Sequence, residues 1–246
     1  MPEAMITVQN LVKDYGDFRA VDDVSFSVAP GEIVGLLGPN GSGKTTTQRM
    51  LAGLMEPTAG TIEIGGRLLS DDLMAARKLL GYQSGDTTLY ERLTPRETLA
   101  FFADLHEIAP EKRDGQIAKL IRDFEMEAFA DKRLGSLSSG QKQRVGMART
   151  ILHDPSFLVL DEVTASLDLL SARFVLNYLT EARRAGKAIL FSTHIMSEAE
   201  HLCDRILLLH KGRILAEGTM AELMERTGTR NLSEAFLFLA DEKGVA

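Results

Sequence analysis

Residues 33–46 read IVGLLGPNGSGKTT, and this stretch decides the fold of the 246-residue chain. An apolar run leads into a match to G-x-x-x-x-G-K-[ST], the pattern of a phosphate-binding loop that joins a strand to a helix. Glycines let such a loop turn its N–H groups inward toward an anion, and the positive end of the following helix faces the same charge. A glycine-rich turn without a phosphate role would not need both flanking elements. The sequence therefore predicts a nucleoside triphosphate site.

Each position of the loop has an expected task. Lys44 is expected to reach the β- and γ-phosphates, Thr45 to bind Mg²⁺, and Thr46 to add a phosphate contact. The residues predicted to bind ATP here are Gly38, Pro39, Asn40, Gly41, Ser42, Gly43, Lys44, Thr45 and Thr46.

Two later apolar runs end in residues that suit phosphate chemistry. Residues 157–160 lead into Asp161 and Glu162, as expected for a buried parallel strand with ligands at its carboxyl end. Asp161 is expected to hold Mg²⁺ through its water shell, and Glu162 to polarise the attacking water. His194 follows residues 188–191, and its imidazole is expected to contact the γ-phosphate. Lys44, Glu162 and His194 form the predicted catalytic set.

The sequence Leu-Ser-Ser-Gly-Gln at residues 137–141 lies between these elements, at the start of a predicted helix. With the phosphate loop, the Asp-Glu pair, residues 166–168 and His194, it follows the order and spacing of one family. The chain resembles the ATP-binding subunit of ABC transporters over nearly its whole length.

The resemblance implies a head-to-tail homodimer with two ATP molecules at the interface. Residues 166–168 would couple the two sites, and Tyr15 would stack on adenine. The residues implied to contact the ATP of the opposite subunit are Ser138, Ser139, Gly140 and Gln141.

Residues 137–141 correspond to the signature of the family. Three positions depart from the family pattern: Ser139 in the signature, Val163 after the catalytic glutamate, and Gly85 where the family has a glutamine. That glutamine senses Mg²⁺ and couples the site to the membrane subunit. Gln83 and Asp86 remain alternative replacements. Gln83 lies two residues before Gly85 and would share its side in an extended segment, and Asp86 would serve as an oxygen ligand. The following segment resembles the sodium-extrusion and drug-efflux branch of bacterial exporters.

Composition restricts partners and compartment. A net charge of −7 argues against a nucleic-acid surface, which normally needs a basic excess. The single cysteine, Cys203, cannot form an internal disulfide and is expected to be a packing residue. Neither a signal segment nor an apolar run of membrane-spanning length is evident. We expect the chain at the cytoplasmic face of the cell membrane, held there by an integral membrane permease subunit.

The expected fold is an α/β P-loop NTPase forming one domain, with a RecA-like core of mainly parallel sheet. Residues 1–85 and 155–220 would form this core together with an antiparallel β part. Residues 86–154 would form an inserted helical subdomain, because apolar residues recur there at helical spacing. Residues 221–246 would form a helical tail, which either packs on the core or makes a second dimer contact.

The function expected from these features is ATP hydrolysis that energises transport, with export of an ion or small molecule. One alternative is a soluble ABC-type ATPase acting on DNA or ribosomes, a class that usually carries a long coiled-coil insertion or two ATPase domains. A second alternative, a P-loop kinase for a small molecule, does not explain residues 137–141.

Overall fold

A computed structural model describes residues 5–85, 89–165 and 167–242 of the chain. Its centre is a six-stranded sheet in which five strands are parallel and one edge strand is antiparallel. The strands in spatial order are β10 (Arg213–Gly218), β9 (Arg205–His210), β3 (Ile33–Leu37), β8 (Ala188–Thr193), β7 (Phe157–Asp161) and β6 (Leu80–Ser84). The central strands are apolar and buried on both faces, as parallel sheets require.

A second, four-stranded antiparallel sheet packs against this core. Its strands in spatial order are β2 (Phe18–Val28), β1 (Ile6–Tyr15), β4 (Ala59–Ile64) and β5 (Arg67–Leu68). A two-residue connection joins β1 to β2, with Gly16 at a φ of 58°, and pairs Tyr15 with Phe18. This hairpin therefore presents two aromatic residues side by side.

Nine α-helices and one short 3-10 helix, Leu134–Ser136, occur within the described residues. The α-helices are α1 (Lys44–Leu51), α2 (Leu73–Leu79), α3 (Pro95–Leu105), α4 (Pro110–Asp123), α5 (Ser139–Ile151), α6 (Leu169–Arg184), α7 (Met196–Leu202), α8 (Met220–Thr227) and α9 (Leu232–Glu242). We call α3 to α5, which lie between β6 and β7 in the chain, the helical segment. Its first helix begins with a capping box between Thr94 and Glu97 and with Pro95 in the first turn.

The helical segment shares one hydrophobic cluster with a face of the central sheet. Leu99 of α3, Leu120 of α4 and Val145 of α5 belong to the same buried cluster as Leu160 of β7 and Phe191 of β8. Helix α5 is therefore packed in the core that also supports the strand leading to Asp161 and Glu162.

The C-terminal helices pack on the same face of the central sheet, next to β9 and β10. Leu232 and Leu239 of α9 are fully buried in a cluster with Leu208 of β9. Leu237 and Phe238 on the same helix are exposed, so a second dimer contact through the tail stays a prediction. Across residues 5–85, 89–165 and 167–242, no helix combines the length and the apolar character needed to cross a membrane.

Candidate active site

The phosphate loop lies between β3 and α1, and its backbone requires glycine at two points. Gly41 and Gly43 have φ values of 79° and 108°, in the left-handed region that disfavours other residues. A Cβ on Gly43 would also lie 2.7 Å from the carbonyl oxygen of Ala20. Helix α1 begins at Lys44, the next residue, so its free N–H groups face the loop.

One polar group buried at this loop fits a phosphate ligand. Lys44 is 4% exposed, and its Nζ donates hydrogen bonds to the carbonyl oxygens of Gly38 at 2.8 Å and Pro39 at 3.2 Å. Within the part of the chain that the structure describes, the buried hydroxyls of Ser42 and Thr47 have no hydrogen-bond partner. Lys44 also lines a cavity beside the loop, so its buried ammonium fits a phosphate ligand, whereas neither hydroxyl lines that cavity.

Glu162 links the loop to the end of β8. Its Oε1 lies 3.4 Å from Lys44 Nζ, and its Oε2 lies 3.2 Å from His194 Nδ1. Its φ is 50°, and its backbone N–H donates to the carbonyl oxygen of Ser192 at 3.1 Å. A non-glycine residue in this region carries backbone strain, which is typical of functional sites. The structure thus brings together Lys44, Glu162 and His194, with the carboxylate partly open to solvent.

Asp161 and Thr45 line one cavity of about 380 Å³, which we call the phosphate cleft. Asp161 is almost fully buried, and its Oδ1 accepts a 2.7 Å hydrogen bond from the hydroxyl of Ser192. A carboxylate beside a hydroxyl suits Mg²⁺, which keeps several water ligands and takes the rest from protein and phosphate oxygens. No group of three or more His, Cys, Asp or Glu side chains placed for a metal occurs in residues 5–85, 89–165 and 167–242.

A second cavity of about 240 Å³ extends from the loop to the β1–β2 hairpin. It is lined by Tyr15, which is 46% exposed, and by Phe18, which is 64% exposed. The Tyr15 hydroxyl donates to Met55 Sδ at 3.0 Å, which fixes one edge of the ring. Two aromatic faces at the end of the phosphate loop suit a purine. Phe18 was not among the residues predicted from the sequence, although its position just after a two-residue hairpin connection was a usable signal.

The signature residues have a different location. Ser138 caps α5, with its Oγ accepting from Gln141 N at 3.3 Å and its own N–H donating to Gln141 Oε1 at 3.0 Å. Ser138 and Ser139 are exposed, whereas Gly140 is buried, and a Cβ there would lie 2.2 Å from Ser171 Oγ. None of residues 138–141 lines either cavity of the same chain. The structure therefore does not bring the signature to its own phosphate loop.

The structure describes one of the two candidate replacements for the missing glutamine, Gln83. Asp86, like Ser166 of the segment 166–168, lies outside the described residues. Gln83 is 1% exposed, and its Oε1 accepts a 3.3 Å hydrogen bond from Thr150 of α5. Gly85 lines the phosphate cleft, and so does Gln143 of α5, a residue that the sequence analysis did not select. The buried contacts of Gln83 with α5 count against it as the replacement.

Comparisons with known proteins agree with this geometry. The family model described as "ABC transporter" matches residues 21–165. The chain is 34% identical to the ABC transporter ATP-binding protein NatA of Bacillus subtilis over 95% of its length and 97% of that protein. It is 39% identical to the Nod factor export ATP-binding protein I of Paraburkholderia xenovorans over 91% of its length and 74% of that protein.

Two solved structures are similar as well. One is an ATP-binding subunit of an ABC transporter, with a TM-score of 0.88 and 33% identity over 96% of this chain and 99% of that one. The other is a dimeric ATP-binding cassette in a post-hydrolysis state bound to ADP and Pi, with a TM-score of 0.78 and 26% identity over 87% of this chain and 98% of that one. These structures confirm the predicted P-loop NTPase fold.

Proposed function

This chain belongs to the ABC transporter family as an ATP-binding subunit whose ATP hydrolysis energises transport through a membrane partner, and from that premise we propose how its site works. The comparisons confirm the predicted family, fold and ATPase activity. We propose that two copies bind two ATP molecules head to tail, that Mg²⁺ accompanies each ATP, and that the cargo is an ion or a small molecule moved outward.

The observation that carries the proposal is the placement of Glu162 between Lys44 and His194 beside the phosphate cleft. In the proposed reaction Lys44 binds the β- and γ-phosphates and Glu162 orients and polarises the attacking water. His194 contacts the second carboxylate oxygen of Glu162 and would contact the γ-phosphate. Thr45 and Asp161 would hold Mg²⁺, which would supply positive charge against the negative charge of the phosphates. Tyr15 would bind the adenine.

The exposed signature supports the dimer. Ser138 and Ser139 lie at the positive end of α5, away from the phosphate cleft of their own chain. A helix end with free N–H groups and small side chains suits an anion brought by a second copy. Head-to-tail pairing would place each signature opposite the phosphate loop of the partner and complete two identical sites.

A groove between the core and the helical segment supports contact with a membrane subunit. This docking groove has a volume of about 350 Å³. It is lined by Ala52, Leu54, Arg77, Leu80, Tyr82, Phe102, His106, Arg149, Thr150 and His153. Leu54 at its edge is 60% exposed, and Phe101 and Leu105 of α3 are exposed nearby. Apolar side chains of a partner would be buried here at little cost.

The charge of the docking groove indicates which side chain a partner would place there. The lining contains two arginines, and no carboxylate is among its described residues. The guanidinium of Arg149 lies 5.2 Å above the ring of Phe102, and burial lowers the pKa of Arg149. His106 and His153 stack with centroids 4.0 Å apart, and burial lowers the pKa of His153 to about 4, so that ring is neutral at pH 7. We therefore expect the partner to insert a carboxylate among apolar side chains.

Co-purification with the membrane subunit tests this proposal. Leu54→Arg should block the groove and reduce recovery of the detergent-solubilised complex at least tenfold, while the ATPase activity of the isolated chain stays within twofold of wild type. Met74→Arg is the matched control, because Met74 is 65% exposed and lies outside the groove lining. Equal recovery with both variants would contradict the docking groove. Failure of the wild-type chain to associate with any membrane protein would favour the soluble ATPase acting on DNA or ribosomes.

A further inference from the structure

One hydrogen bond joins the signature helix to the backbone beside Glu162. The side-chain Nε2 of Gln143, in the second turn of α5, donates to the carbonyl oxygen of Val163 at 2.8 Å. Val163 directly follows Glu162 and is 2% exposed. Gln143 also lines the phosphate cleft, together with Asp161 and Glu162. The amide therefore touches both the cleft and the chain segment that carries the catalytic carboxylate.

That segment, residues 162–165, is a tight turn that we call the catalytic turn. It is closed by a 3.2 Å hydrogen bond from Ala165 N to the carbonyl oxygen of Glu162. From α7, Glu198 accepts a 2.8 Å bond from the hydroxyl of Thr164, and from β8, Ser192 accepts the N–H of Glu162. These contacts anchor the turn to the core. The bond from Gln143 adds an anchor on the helical segment.

The backbone of the catalytic turn needs such anchors. Glu162 has a φ of 50°, and a residue in this strained region persists only where its surroundings determine it. Gly85 leaves room beside the turn, since a Cβ there would press to 3.2 Å against the carbonyl oxygens of Asp161 and Glu162. The amide of Gln143 reaches the same turn from α5, at Val163.

We propose that Gln143 is a positioning residue that ties the orientation of Glu162 to the position of the signature helix within the same chain. Helix α5 begins at Ser139, and a movement of its first turn carries Gln143 with it. The hydrogen bond passes that movement to Val163 and hence to Glu162. Binding of the signature to a second copy would thereby also align the general base of the chain that carries the signature. The inference rests on the proposed role of Glu162.

The test compares two glutamines that donate to backbone carbonyls, Gln143 to Val163 in the catalytic turn and Gln116 to Leu152 at the end of α5. Gln143→Met keeps a similar volume and removes the donor, and Gln143→Glu, similar in shape, replaces the donor by an acceptor. Gln116→Met is the control, because Gln116 Nε2 donates to the carbonyl oxygen of Leu152, just after α5 and away from the cleft. Each variant is assayed by steady-state ATP hydrolysis for kcat and KM, and by single-turnover release of labelled phosphate.

Both Gln143 variants should lower kcat about tenfold and leave KM for ATP within twofold, because a misplaced catalytic group affects the chemical step. Gln116→Met should match wild type. In a Glu162→Gln background, Gln143→Met should cause no further loss of single-turnover rate, since residues that act through one another are not additive. If one Gln143 variant fails to bind ATP, the kcat of the other variant tests the inference.

Three results would overturn the inference: wild-type kcat in the Gln143 variants, an equal loss in Gln116→Met, or a further tenfold loss in the Glu162→Gln background. An active Glu162→Gln enzyme would instead refute the proposed role of Glu162 itself. The two failures are therefore distinguishable.

Discussion

Replacement of Glu162 by glutamine tests the assignment of the general base. Glutamine has nearly the same volume, so its side-chain oxygen can still face Lys44, 3.4 Å from Oε1, and its nitrogen can face His194, 3.2 Å from Oε2. The amide cannot take a proton from water as a carboxylate does. Loss of general-base catalysis costs on the order of 10²- to 10⁴-fold in rate, or about 3–5 kcal/mol of transition-state stabilisation.

The same substitution should preserve ATP binding. It removes a negative charge next to the bound phosphates, so the affinity should be unchanged or higher. ATP would then remain bound, and the variant should elute as an ATP-dependent dimer in gel filtration. Phosphate release at saturating Mg²⁺-ATP measures turnover, and titration with a fluorescent ATP analogue measures affinity.

Glu217→Gln is the matched control for the Glu162 variant. Glu217 is an exposed glutamate on β10, paired with Arg205, and its amide variant should hydrolyse ATP at the wild-type rate. Hydrolysis by Glu162→Gln within about threefold of wild type would refute the assignment, since the general-base effect is at least about a hundredfold.

Three further predictions concern ATP binding and the core. Lys44→Ala should lose ATP affinity as well as turnover, because the ammonium contacts phosphates in the ground state; unchanged affinity in an ATP titration would contradict the phosphate loop. Tyr15→Ala should weaken ADP binding about 2- to 13-fold, from about 0.5–1.5 kcal/mol of aromatic stacking, whereas Tyr15→Phe keeps the ring and should bind as wild type. Burial raises the pKa of Cys203 to about 12, so its thiol stays protonated at pH 8. Iodoacetamide should then modify Cys203 rapidly in urea and slowly in the native protein; fast native labelling would contradict the raised pKa of its thiol.

The parts of the site that lie close in sequence could be predicted from the sequence. The phosphate loop needs glycine in left-handed conformations and a helix directly after it, and both requirements appear as residue types at fixed spacing. The cap of α5 is likewise local, because Ser138 and Gln141 bond across three residues. The recurrence of apolar residues at helical spacing likewise predicted the helices of the helical segment.

Contacts between distant segments could not be predicted in this way. Gln143 meets Val163 only because α5 packs against the end of β7, and no local pattern reports that packing. The alternation of side chains in an extended segment predicted that Gln83 and Gly85 share one side of the strand. Both residues do line one small cavity. Strand β6 ends at Ser84, however, so Gly85 turns into the phosphate cleft while Gln83 stays against α5.

The most direct test of the central claim is activity in a mixture of two inactive chains. One chain carries Lys44→Ala and the other Ser139→Glu, a change at an exposed position in the first turn of α5, where a carboxylate suits the helix dipole but repels a phosphate of the partner. In a mixed head-to-tail dimer, the intact loop of one chain meets the intact signature of the other. We predict recovery of about a quarter of wild-type ATP hydrolysis in an equimolar mixture, because about half of the dimers are mixed and each has one intact site. A mixture as inactive as its separate components would contradict the composite site.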